Sequence, residues 1–473
     1  MSLPIISVAQ MRECEKATWA TGQTEANVIA RVGEAVARHA LKLTGPDDAI
    51  LILAGKGHNG EDARHAEPHL HNRRVQICNI KDPANDLPLS QLYEQRPALI
   101  IDGLFGIGIN RPLDEHWQAL IQRVNDSRIP VLAVDVPSGL NADTGQPEGA
   151  AIRASVTVTV GAPKQGMLLP AAWPYVGRLE VASDVGLVKC PVAAEMNWIE
   201  ADDFRTYPPP REAVAHKGDF GHLGIFAGSL GYHGAAVLTS RGAQHAQPGL
   251  ITLHTFETVY YAIAAQLQSV MVRIWDPATK MPANYDAVLI GPGLADNTLP
   301  DAVKLFTRLT WRDSFSPVVV DASALDWVPL EPLPNRAIRV ITPHPGEAGR
   351  LLKTSSKQIQ ANRPAALREI SKRYGNCWVV LKGAQTLIGR HKGPIAVNSS
   401  GNPRMAQGGS GDVLAGFLAG LLAQPALQAD PFTTLCYGVW QHGAAADRLD
   451  AKKTNWVVED LIAEIGNTRR PIF

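Results

Sequence analysis

Residues 401–423 read GNPRMAQGGSGDVLAGFLAGLLA, a glycine-rich loop that runs into an apolar segment. Gly408, Gly409 and Gly411 come directly before a stretch that predicts a helix. The backbone N–H groups of such a loop, with the positive end of the helix dipole, form a hole for phosphate oxygens. Asp412 lies on the first turn, where a carboxylate suits a general base that deprotonates a hydroxyl before phosphoryl transfer. A plain glycine-rich connection is less favoured, because glycines cost chain entropy.

The chain before this stretch alternates apolar runs with amphipathic segments. In the first half, predicted helices lie at residues 61–72, 87–95 and 114–125, after a leading helical region at 7–42. Strand–helix–strand alternation at this spacing is typical of a parallel sheet with helices on both faces. The predicted strands of this half are residues 49–54, 75–80, 98–104, 130–136, 155–160 and 178–182.

The alternation is interrupted at residues 200–217 and then starts again. Pro208, Pro209 and Pro210 cannot continue a helix or a central strand, so we expect the domain boundary at 205–213. Two strong helices, at 412–423 and 431–450, end the second half. Its predicted strands are 222–227, 250–255, 270–275, 287–291, 317–321, 338–342, 378–382 and 386–388. The sequence predicts two tandem three-layer α/β domains, residues 1–210 and 211–473.

Composition excludes several classes of function. Lys and Arg total 45 and Asp and Glu total 45 in 473 residues, and this zero net charge argues against a nucleic-acid partner. The five cysteines are far apart in sequence, which disfavours disulfides and points to a reducing compartment. We find no membrane-length apolar run, no signal peptide, no Walker A pattern and no HExxH or clustered Cys/His. We therefore expect a cytoplasmic protein with no membrane partner and no zinc.

Glycines and polar residues follow four strands of the first half. Residues 55–60 read GKGHNG and fit the dinucleotide-binding pattern, with Asp82 about 20 residues later. Residues 102–108 (DGLFGIG), 135–139 (DVPSG) and 161–164 (GAPK) also follow predicted strands. In an open α/β sheet, the ligand crevice lies outside the carboxyl ends of the strands. We expect one pocket there, although caps and turns without a ligand remain the structural alternative for each motif.

In this order the four motifs resemble the NAD(P)H-hydrate epimerase domain, over about residues 5–200. The resemblance implies a Rossmann-like fold that binds hydrated nicotinamide dinucleotide and interconverts its C6 epimers. It implies a potassium ion bound by Asn59, Asp102 and Ser138. It also implies that Asp135 is the acid/base, with Lys164 beside it. Contacts to the dinucleotide are implied for residues 58–62 and 106–112, which include His58, Asn59, Gly60, Asp62, Gly106 and Gly108.

This chain departs from the family loop, which usually reads GxGNNGGDG. His58, Glu61 and Ala63 replace an Asn and two Gly, and Ile107 replaces a Thr. Glu61 adds a negative charge beside the expected pyrophosphate site, where like charges at about 4 Å cost on the order of 4 kcal/mol. The lost glycines restrict close approach of the backbone. We therefore expect weakened epimerisation.

The loop at 401–412 resembles the GxGD element of the ribokinase-like superfamily. Together with six further motifs, the second half resembles one family of that superfamily, the ADP-dependent (S)-NAD(P)H-hydrate dehydratases, over about residues 212–467. The further motifs are 216–222 (HKGDFGH), 228–229 (GS), 291–294 (GPGL), 321–325 (DASAL), 342–347 (TPHPGE) and 381–386 (LKGAQT). Two departures are visible: Ser323 stands where the family usually has Asp, and Arg404 where it has Gly. A solvated surface charge is the favoured interpretation of Arg404.

The resemblance implies that Asp412 is the catalytic base and also binds the hydrate. It implies a two-step reaction in which ADP phosphorylates the C6 hydroxyl, giving AMP, and phosphate then leaves to restore the reduced cofactor. It implies a dinucleotide pocket at Ala235, Gly293 and His344, with Mg²⁺ accompanying the nucleotide; for His344, a rigid loop residue is the plain alternative. The ADP-binding residues that it implies are Lys382, Gly383, Ala384, Thr386, Asn402, Gly408, Gly409, Ser410 and Gly411.

Two alternatives remain open from the sequence. A ribokinase-like small-molecule kinase shares the GxGD element, but it does not explain residues 216–222, residues 342–347 or the fused first half. The first half is alternatively a non-catalytic binding or oligomerisation module. The expected partners are hydrated NADH or NADPH, ADP and further copies of the chain in a homo-oligomer.

Overall fold

The structure is a computed structural model that describes residues 2–84, 96–190, 194–279, 281, 284–295, 299–333 and 338–467. Its contacts divide the chain into two compact units, Leu3–Glu195 and a second unit that starts at Met196. This division precedes the expected boundary at 205–213, because a strand at Met196–Ile199 pairs within the second sheet. The predicted helix at 87–95 lies outside the described residues.

The first unit contains a six-stranded parallel sheet in the order β3–β2–β4–β5–β6–β7. The strands of this part of the chain are β1 (Leu3–Pro4), β2 (Ala49–Ala54), β3 (Arg74–Asn79), β4 (Leu99–Gly103), β5 (Val131–Val134), β6 (Val156–Val160) and β7 (Arg178–Ala182). The helices are α1 (Val8–Ala20), α2 (Glu25–Leu43), α3 (His58–Arg64), α4 (Glu115–Asp126) and α5 (Trp173–Val176), with 3₁₀ turns at Glu67–His69 and Gln165–Leu168.

Alternate residues of β2 explain the three layers of this unit. Ile50 and Ile52 pack in one apolar cluster with the face of α2 that carries Val32 and Val36. Leu51 and Leu53 belong to a second cluster, which contains Leu120, Ile121 and Val124 of α4. A strand buried on both faces reads as a continuous apolar run, as AILILA does.

The second unit is built on a mixed sheet in the order β8–β17–β16–β15–β14–β13–β12–β9–β10–β11. Strand β16 is antiparallel to both neighbours, and the other pairings are parallel. The strands are β8 (Met196–Ile199), β9 (His222–Phe226), β10 (Leu250–Thr255), β11 (Met271–Ile274), β12 (Ala287–Ile290), β13 (Val318–Val320), β14 (Arg339–Ile341), β15 (Trp378–Leu381), β16 (Leu387–Gly389) and β17 (Ile395–Asn398).

The helices of this unit cover both faces of the sheet. They are α6 (His233–His245), α7 (Glu257–Ala264), α8 (Asp301–Asp313), α9 (Pro345–Leu352), α10 (Ser356–Ala361), α11 (Arg363–Arg373), α12 (Ser410–Leu422), α13 (Pro425–Gln428), α14 (Pro431–Lys452) and α15 (Val458–Glu464). The 3₁₀ turns are Ala201–Phe204, Lys217–Phe220, Ala322–Trp327 and Pro403–Met405. The predicted two-domain α/β fold is thus confirmed.

Helix α12 occupies the middle of the second unit. Its residues from Val413 to Leu422 are all buried, as expected of a helix that is apolar all round. Gly416 permits contact with α6, because a Cβ there would lie 1.9 Å from the carbonyl oxygen of Thr239. Within the described residues, no helix combines the length and apolarity needed to cross a bilayer.

Candidate active sites

A cavity of about 1070 Å³ opens at the carboxyl ends of the first sheet. Helix α3 follows β2 through the glycine turn, and the loops after β4 and β5 complete the wall. A face of α1 also contributes, with Glu15 in the lining. The residues predicted to bind the dinucleotide that line this cavity are His58, Asn59, Asp62, all of residues 106–112 and Asp135.

Gly60 is not in the cavity lining and has a structural reason to be glycine. A Cβ at Gly60 would lie 2.1 Å from the carbonyl oxygen of Gly55. A Cβ at Gly55 would in turn lie 2.1 Å from the carbonyl oxygen of Leu104. The tight packing of this turn against the loop after β4 therefore requires both glycines.

Oxygen atoms gather where Asn59, Asp102 and Ser138 meet. The Ser138 hydroxyl and backbone N–H donate to the two carboxylate oxygens of Asp102, at 2.6 and 2.8 Å. The amide nitrogen of Asn59 donates to the carbonyl oxygen of Phe105 at 2.8 Å, and Asn59 Oδ1 is buried without a hydrogen bond. Burial raises the pKa of Asp102 to about 6, although the Ser138 donors oppose it. An oxygen set with a buried carboxylate and an unsatisfied amide oxygen fits a cation.

Asp135 and Lys164 form a buried ion pair beside the cavity. The ammonium of Lys164 donates to Asp135 Oδ1 at 2.6 Å and to Thr159 Oγ1 at 2.9 Å. The backbone N–H of Val160 also donates to Oδ1, at 3.1 Å. Oδ1 of Asp135 accepts three hydrogen bonds in all, the third from Thr159 Oγ1 at 3.2 Å. Asp135 adopts a φ of 63°, a left-handed conformation uncommon outside glycine, which places it at the strand end.

Two further carboxyl groups line the same cavity, Asp62 on α3 and Glu15 on α1. Burial and then the charges of Asp135 and Glu15 raise the pKa of Asp62 well above its ordinary value. The same causes, burial first and Asp135 second, raise the pKa of Glu15. The sequence analysis missed Glu15, since an acidic residue in an amphipathic helix carries no signal by itself.

Of the four residues that depart from the family pattern, His58 and Ile107 line the cavity, whereas Glu61 and Ala63 do not. Glu61 pairs with Arg64 at 2.8 Å and is absent from the cavity lining. The side chain of Ala63 is buried against Gly103, where a Cβ would lie only 2.4 Å from that of Ala63. His58 does line the cavity, and its Nε2 lies 2.9 Å from Glu25 Oε1. Arg64 pairs with Glu61 outside the cavity lining, and the effect of Glu61 on epimerisation stays a prediction.

In the second unit, the 401–412 loop ends at the start of α12. Gly409 is the residue before the helix and adopts φ 91° and ψ −14°, a left-handed conformation that suits glycine. Ser410, Gly411 and Asp412 form the first turn, so their backbone N–H groups lack partners within the helix. The N–H of Ser410 donates to the carbonyl oxygen of Gln407 at 3.3 Å, and the helix start has the geometry that the predicted anion hole requires.

Asp412 belongs to a charged cluster at the carboxyl ends of β13 and β15. Lys382 Nζ lies 2.8 Å from Asp321 Oδ1 and 3.8 Å from Glu347 Oε2. The same ammonium reaches the glycine loop, because a Cβ on Gly411 would lie 3.4 Å from it. Burial alone would lower the pKa of Lys382, but the two carboxylates outweigh burial and raise it.

The pKa of Asp412 is raised to about 7. Burial is the main cause, and the charge of Asp321 adds to it, while Lys382 acts in the opposite direction. A carboxyl group with a pKa near neutrality is suited to take a proton from a hydroxyl. The sequence analysis quoted Asp321 and Glu347 within motifs but did not assign them to the site.

The residues predicted for the dinucleotide pocket lie at neighbouring strand ends. Gly293 follows β12, with φ 68°, and a Cβ on it would lie 3.0 Å from the Cβ of Ala235 on α6. His344 caps α9: its Nδ1 accepts from the N–H of Gly346 at 3.0 Å, and its side chain is half exposed. These contacts agree with the alternative that His344 is a rigid loop residue. The exposed part of its side chain would still be accessible to a ligand.

Arg363, which the sequence analysis missed, supports segment 382–386 through hydrogen bonds to its backbone. Its guanidinium donates to the carbonyl oxygens of Ala384 and Leu381, and Gly383 adopts φ 138° between them. Burial lowers the pKa of Arg363 to about 10, which leaves it charged. Thr386 Oγ1 donates to the carbonyl oxygen of Gly383 at 3.0 Å and closes the turn.

Arg404 does not point into the anion hole. Its Nε lies 2.9 Å from Asp450 Oδ1 on α14, and its Nη1 donates to the carbonyl oxygen of Thr454. His442 of α14 is buried next to Ser410, and burial lowers its pKa to about 4, so the imidazole is neutral. The favoured interpretation of Arg404 as a charge outside the site agrees with these contacts, although the charge is paired.

A larger cavity of about 1330 Å³ lies elsewhere in the second unit. Segment 201–215 and the sides of α12 and α14 line it, with Tyr207, Phe417 and Trp440 among the walls. None of the residues predicted for the dehydratase site is in this lining. Volume alone therefore does not locate the chemistry, and the charged cluster around Asp412 is the better candidate.

Comparison with known proteins gives the same division of the chain. A family model described as NAD(P)H-hydrate dehydratase matches residues 223–467, and one described as YjeF-related protein N-terminus matches residues 75–166. The bifunctional NAD(P)H-hydrate repair enzyme of Gloeobacter violaceus is 34% identical over 95% of this chain and 94% of its own length. This chain belongs to the bifunctional NAD(P)H-hydrate repair enzyme family. The Escherichia coli member is 36% identical over 91% of this chain and 86% of its own.

Solved structures match the second unit. The ADP/ATP-dependent NAD(P)H-hydrate dehydratase from Bacillus subtilis, co-crystallised with ATP and Mg²⁺, is 29% identical with a TM-score of 0.50; the match covers 55% of this chain and 93% of that one. A hypothetical protein from Streptococcus mutans is 25% identical with a TM-score of 0.51, over 56% of this chain and 96% of that one. The predicted family is thus confirmed for both halves, and the kinase alternative gains no support.

Proposed function

We propose that this protein repairs hydrated NADH and NADPH, by ADP-dependent dehydration of the S epimer in the second unit and by epimerisation of the R and S hydrates in the first. The observation that carries the proposal is Asp412, which adjoins the anion hole at the start of α12 and the ammonium of Lys382. A base, a phosphate hole and a cation at one helix end are what transfer of a phosphoryl group to a hydroxyl requires.

In the first step, Asp412 takes the proton of the C6 hydroxyl while the oxygen attacks the terminal phosphorus of ADP. The bond from phosphorus to the bridging oxygen breaks, and AMP leaves. The N–H group of Gly411 and the ammonium of Lys382 would stabilise the negative charge on the phosphoryl oxygens. Mg²⁺ would enter with the phosphates of ADP and offset their charge. Lys382, Gly383, Ala384 and Thr386 would hold the nucleotide together with the 402–411 loop.

In the second step, the ring nitrogen lone pair forms a C=N bond as the C6–O bond breaks and phosphate departs. Loss of a proton from C5 then restores the dihydronicotinamide. Ala235, Gly293 and His344 would line the pocket that orients the ring. The protein contributes positioning and charge stabilisation here rather than covalent chemistry.

For the first unit, we propose that Asp135 moves the proton to and from the C6 hydroxyl. Lys164 donates a hydrogen bond to Oδ1 of Asp135, and Oδ2 would face the substrate. Potassium would be held by Asn59, Asp102 and Ser138, where its charge would offset the burial of Asp102 and fix the loop after β4. Because Glu61 pairs with Arg64 outside the cavity, the expected weakening of epimerisation loses its main electrostatic reason.

Two expectations from the sequence remain proposals. A cytoplasmic location is a prediction from the spacing of the cysteines in the sequence. The homo-oligomer is a prediction that light scattering on the purified protein will test.

Product analysis tests the reaction type. Purified protein is incubated with the S hydrate and ADP, and the products are separated by chromatography. We expect one AMP and one phosphate for each reduced nicotinamide that is restored. A stable phosphorylated compound without recovery of the nicotinamide would instead support the kinase alternative.

A further inference from the structure

One face of α14 holds the start of the 401–412 loop. Trp440, Gly443, Asp447 and Asp450 are spaced i, i+3, i+7 and i+10, which places them on one side of a helix. Each contacts residues 400–404 by a different means. These residues lie outside the set that the sequence analysis assigned to the nucleotide.

Asp447 makes the most specific of these contacts. Its Oδ2 accepts from the backbone N–H of Gly401 at 2.9 Å, and its Oδ1 accepts from the side-chain amide of Asn402 at 3.1 Å. The other end of that amide, Asn402 Oδ1, accepts from the N–H of Arg404 at 3.1 Å. One carboxylate thus fixes both the backbone and the side chain at the entrance of the loop.

Gly443 brings the loop close to the helix. A Cβ on Gly443 would lie 2.3 Å from Ser400 Oγ and 2.8 Å from the backbone nitrogen of Gly401. The Ser400 hydroxyl donates to the carbonyl oxygen of Trp440 at 2.7 Å, which secures the same approach. Because the atoms met by this Cβ are mainly backbone, a side chain here would displace the loop.

We propose that Asp447 and Gly443 are positioning residues for adenine nucleotide binding, acting through Asn402 and the loop that leads to the anion hole. This inference rests on the proposed function. A loop that is held before the nucleotide arrives loses less conformational entropy on binding. The binding of ADP should therefore depend on this face of α14, whereas the binding of the hydrate should not.

Steady-state kinetics of the full-length protein test the inference. Asp447→Asn keeps the shape of the side chain but has one acceptor in place of two. We expect it to raise the KM for ADP roughly tenfold, with the KM for the S hydrate within twofold of wild type. Asp450→Asn is the matched control: it lies one turn further on the same face and forms an ion pair with the partly exposed Arg404, so the KM for ADP should change less than twofold.

Gly443→Ala tests the same face by a different change. We expect a similar rise in the KM for ADP, because the added methyl group displaces Ser400 and Gly401. Gly438→Ala is its control on the same helix: there the new Cβ meets side-chain atoms of Leu418, not the loop. This control should lower the unfolding temperature without changing the KM for ADP.

The outcomes distinguish failure of the proposed function from failure of the proposed positioning role. If wild-type protein shows no ADP-dependent recovery of reduced nicotinamide, the proposed function fails. If wild type is active but Asp447→Asn and Gly443→Ala leave the KM for ADP unchanged, or raise both KM values equally, the positioning role is refuted.

Discussion

At the scale of single residues, the proposed reaction depends on the ionisation of Asp412. Its carboxyl group is surrounded by Asp321, Glu347 and Lys382, and its burial raises the pKa to about 7. This is a group that must lose its proton before it can accept one from the substrate. Both activity and stability should therefore depend on pH through this one carboxyl.

The rate of dehydration should rise with pH through about 7 and level off above it. Below this pH, Asp412 is protonated and cannot act as the base. The measurement is kcat for the S hydrate with saturating ADP between pH 5.5 and pH 8.5. A rate that is flat across this range would assign proton removal to another group.

Asp412→Asn should make the folded protein more stable at alkaline pH. A carboxyl with a raised pKa keeps its proton in the folded state while the unfolded chain releases it, so wild-type stability falls as pH rises from about 4 to about 7. The amide has no charge to bury, and its gain should be about 2 kcal/mol at pH 8 and near zero at pH 4. Urea unfolding at the two pH values measures the difference, and an equal effect at both would contradict the assigned burial.

At the scale of elements, the turn between β2 and α3 contains two kinds of position. At some, the packing requires glycine; at others, a larger side chain is accepted. Gly55 and Gly60 meet backbone atoms at 2.1 Å if a Cβ is added. Glu61, by contrast, points to Arg64. The spacing of Glu61 and Arg64, three residues apart on a helix, would have predicted this ion pair. The sequence analysis instead compared Glu61 with the glycine usual in the family and expected repulsion.

Glu61→Gly, which restores the residue usual in the family, should leave the epimerisation rate within about twofold of wild type, because an exposed ion pair outside the cavity contributes little. Gly60→Ala is the companion variant and should reduce the rate strongly by displacing the turn. The rates are followed by chromatographic separation of the two epimers. A large gain of activity in Glu61→Gly would show that the charge does act on the pyrophosphate.

The sequence predicted most strands, because long apolar runs are local signals, but it did not predict helices α6 to α11 of the second unit. Strands β8 and β17 escaped it: MNWI and IAVN are four residues each, and they pair with each other across about 200 positions. Likewise, Gly408 to Asp412 were recognisable as a local anion hole. The ion pairs of Lys382 could not be predicted in this way. Asp321 and Glu347 contact Lys382 only when three strand ends come together in the fold.

At the scale of the whole molecule, the two proposed activities act on different epimers of the hydrate. In the proposed function, the second unit dehydrates the S epimer, and recovery of the R epimer would depend on Asp135 in the first unit. A chain with both units active should convert a mixture of epimers completely.

Asp135→Asn should leave the S share recovered at the wild-type rate and slow recovery of the R share to the spontaneous rate of epimerisation. The amide cannot exchange the proton that the C6 hydroxyl requires. Asp184→Asn, at an exposed position after β7, is the control and should behave as wild type. If wild type itself recovers only the S share, the first unit is a non-catalytic module after all.

The most direct test of the account is the rate of ADP-dependent recovery of reduced nicotinamide from the S hydrate by Asp412→Ala, followed by absorbance beside wild type. We predict a loss of at least about 100-fold with a cooperative unfolding transition retained. An Asp412→Ala protein that restores the coenzyme at the wild-type rate would contradict the assignment of the base and of the site built around it.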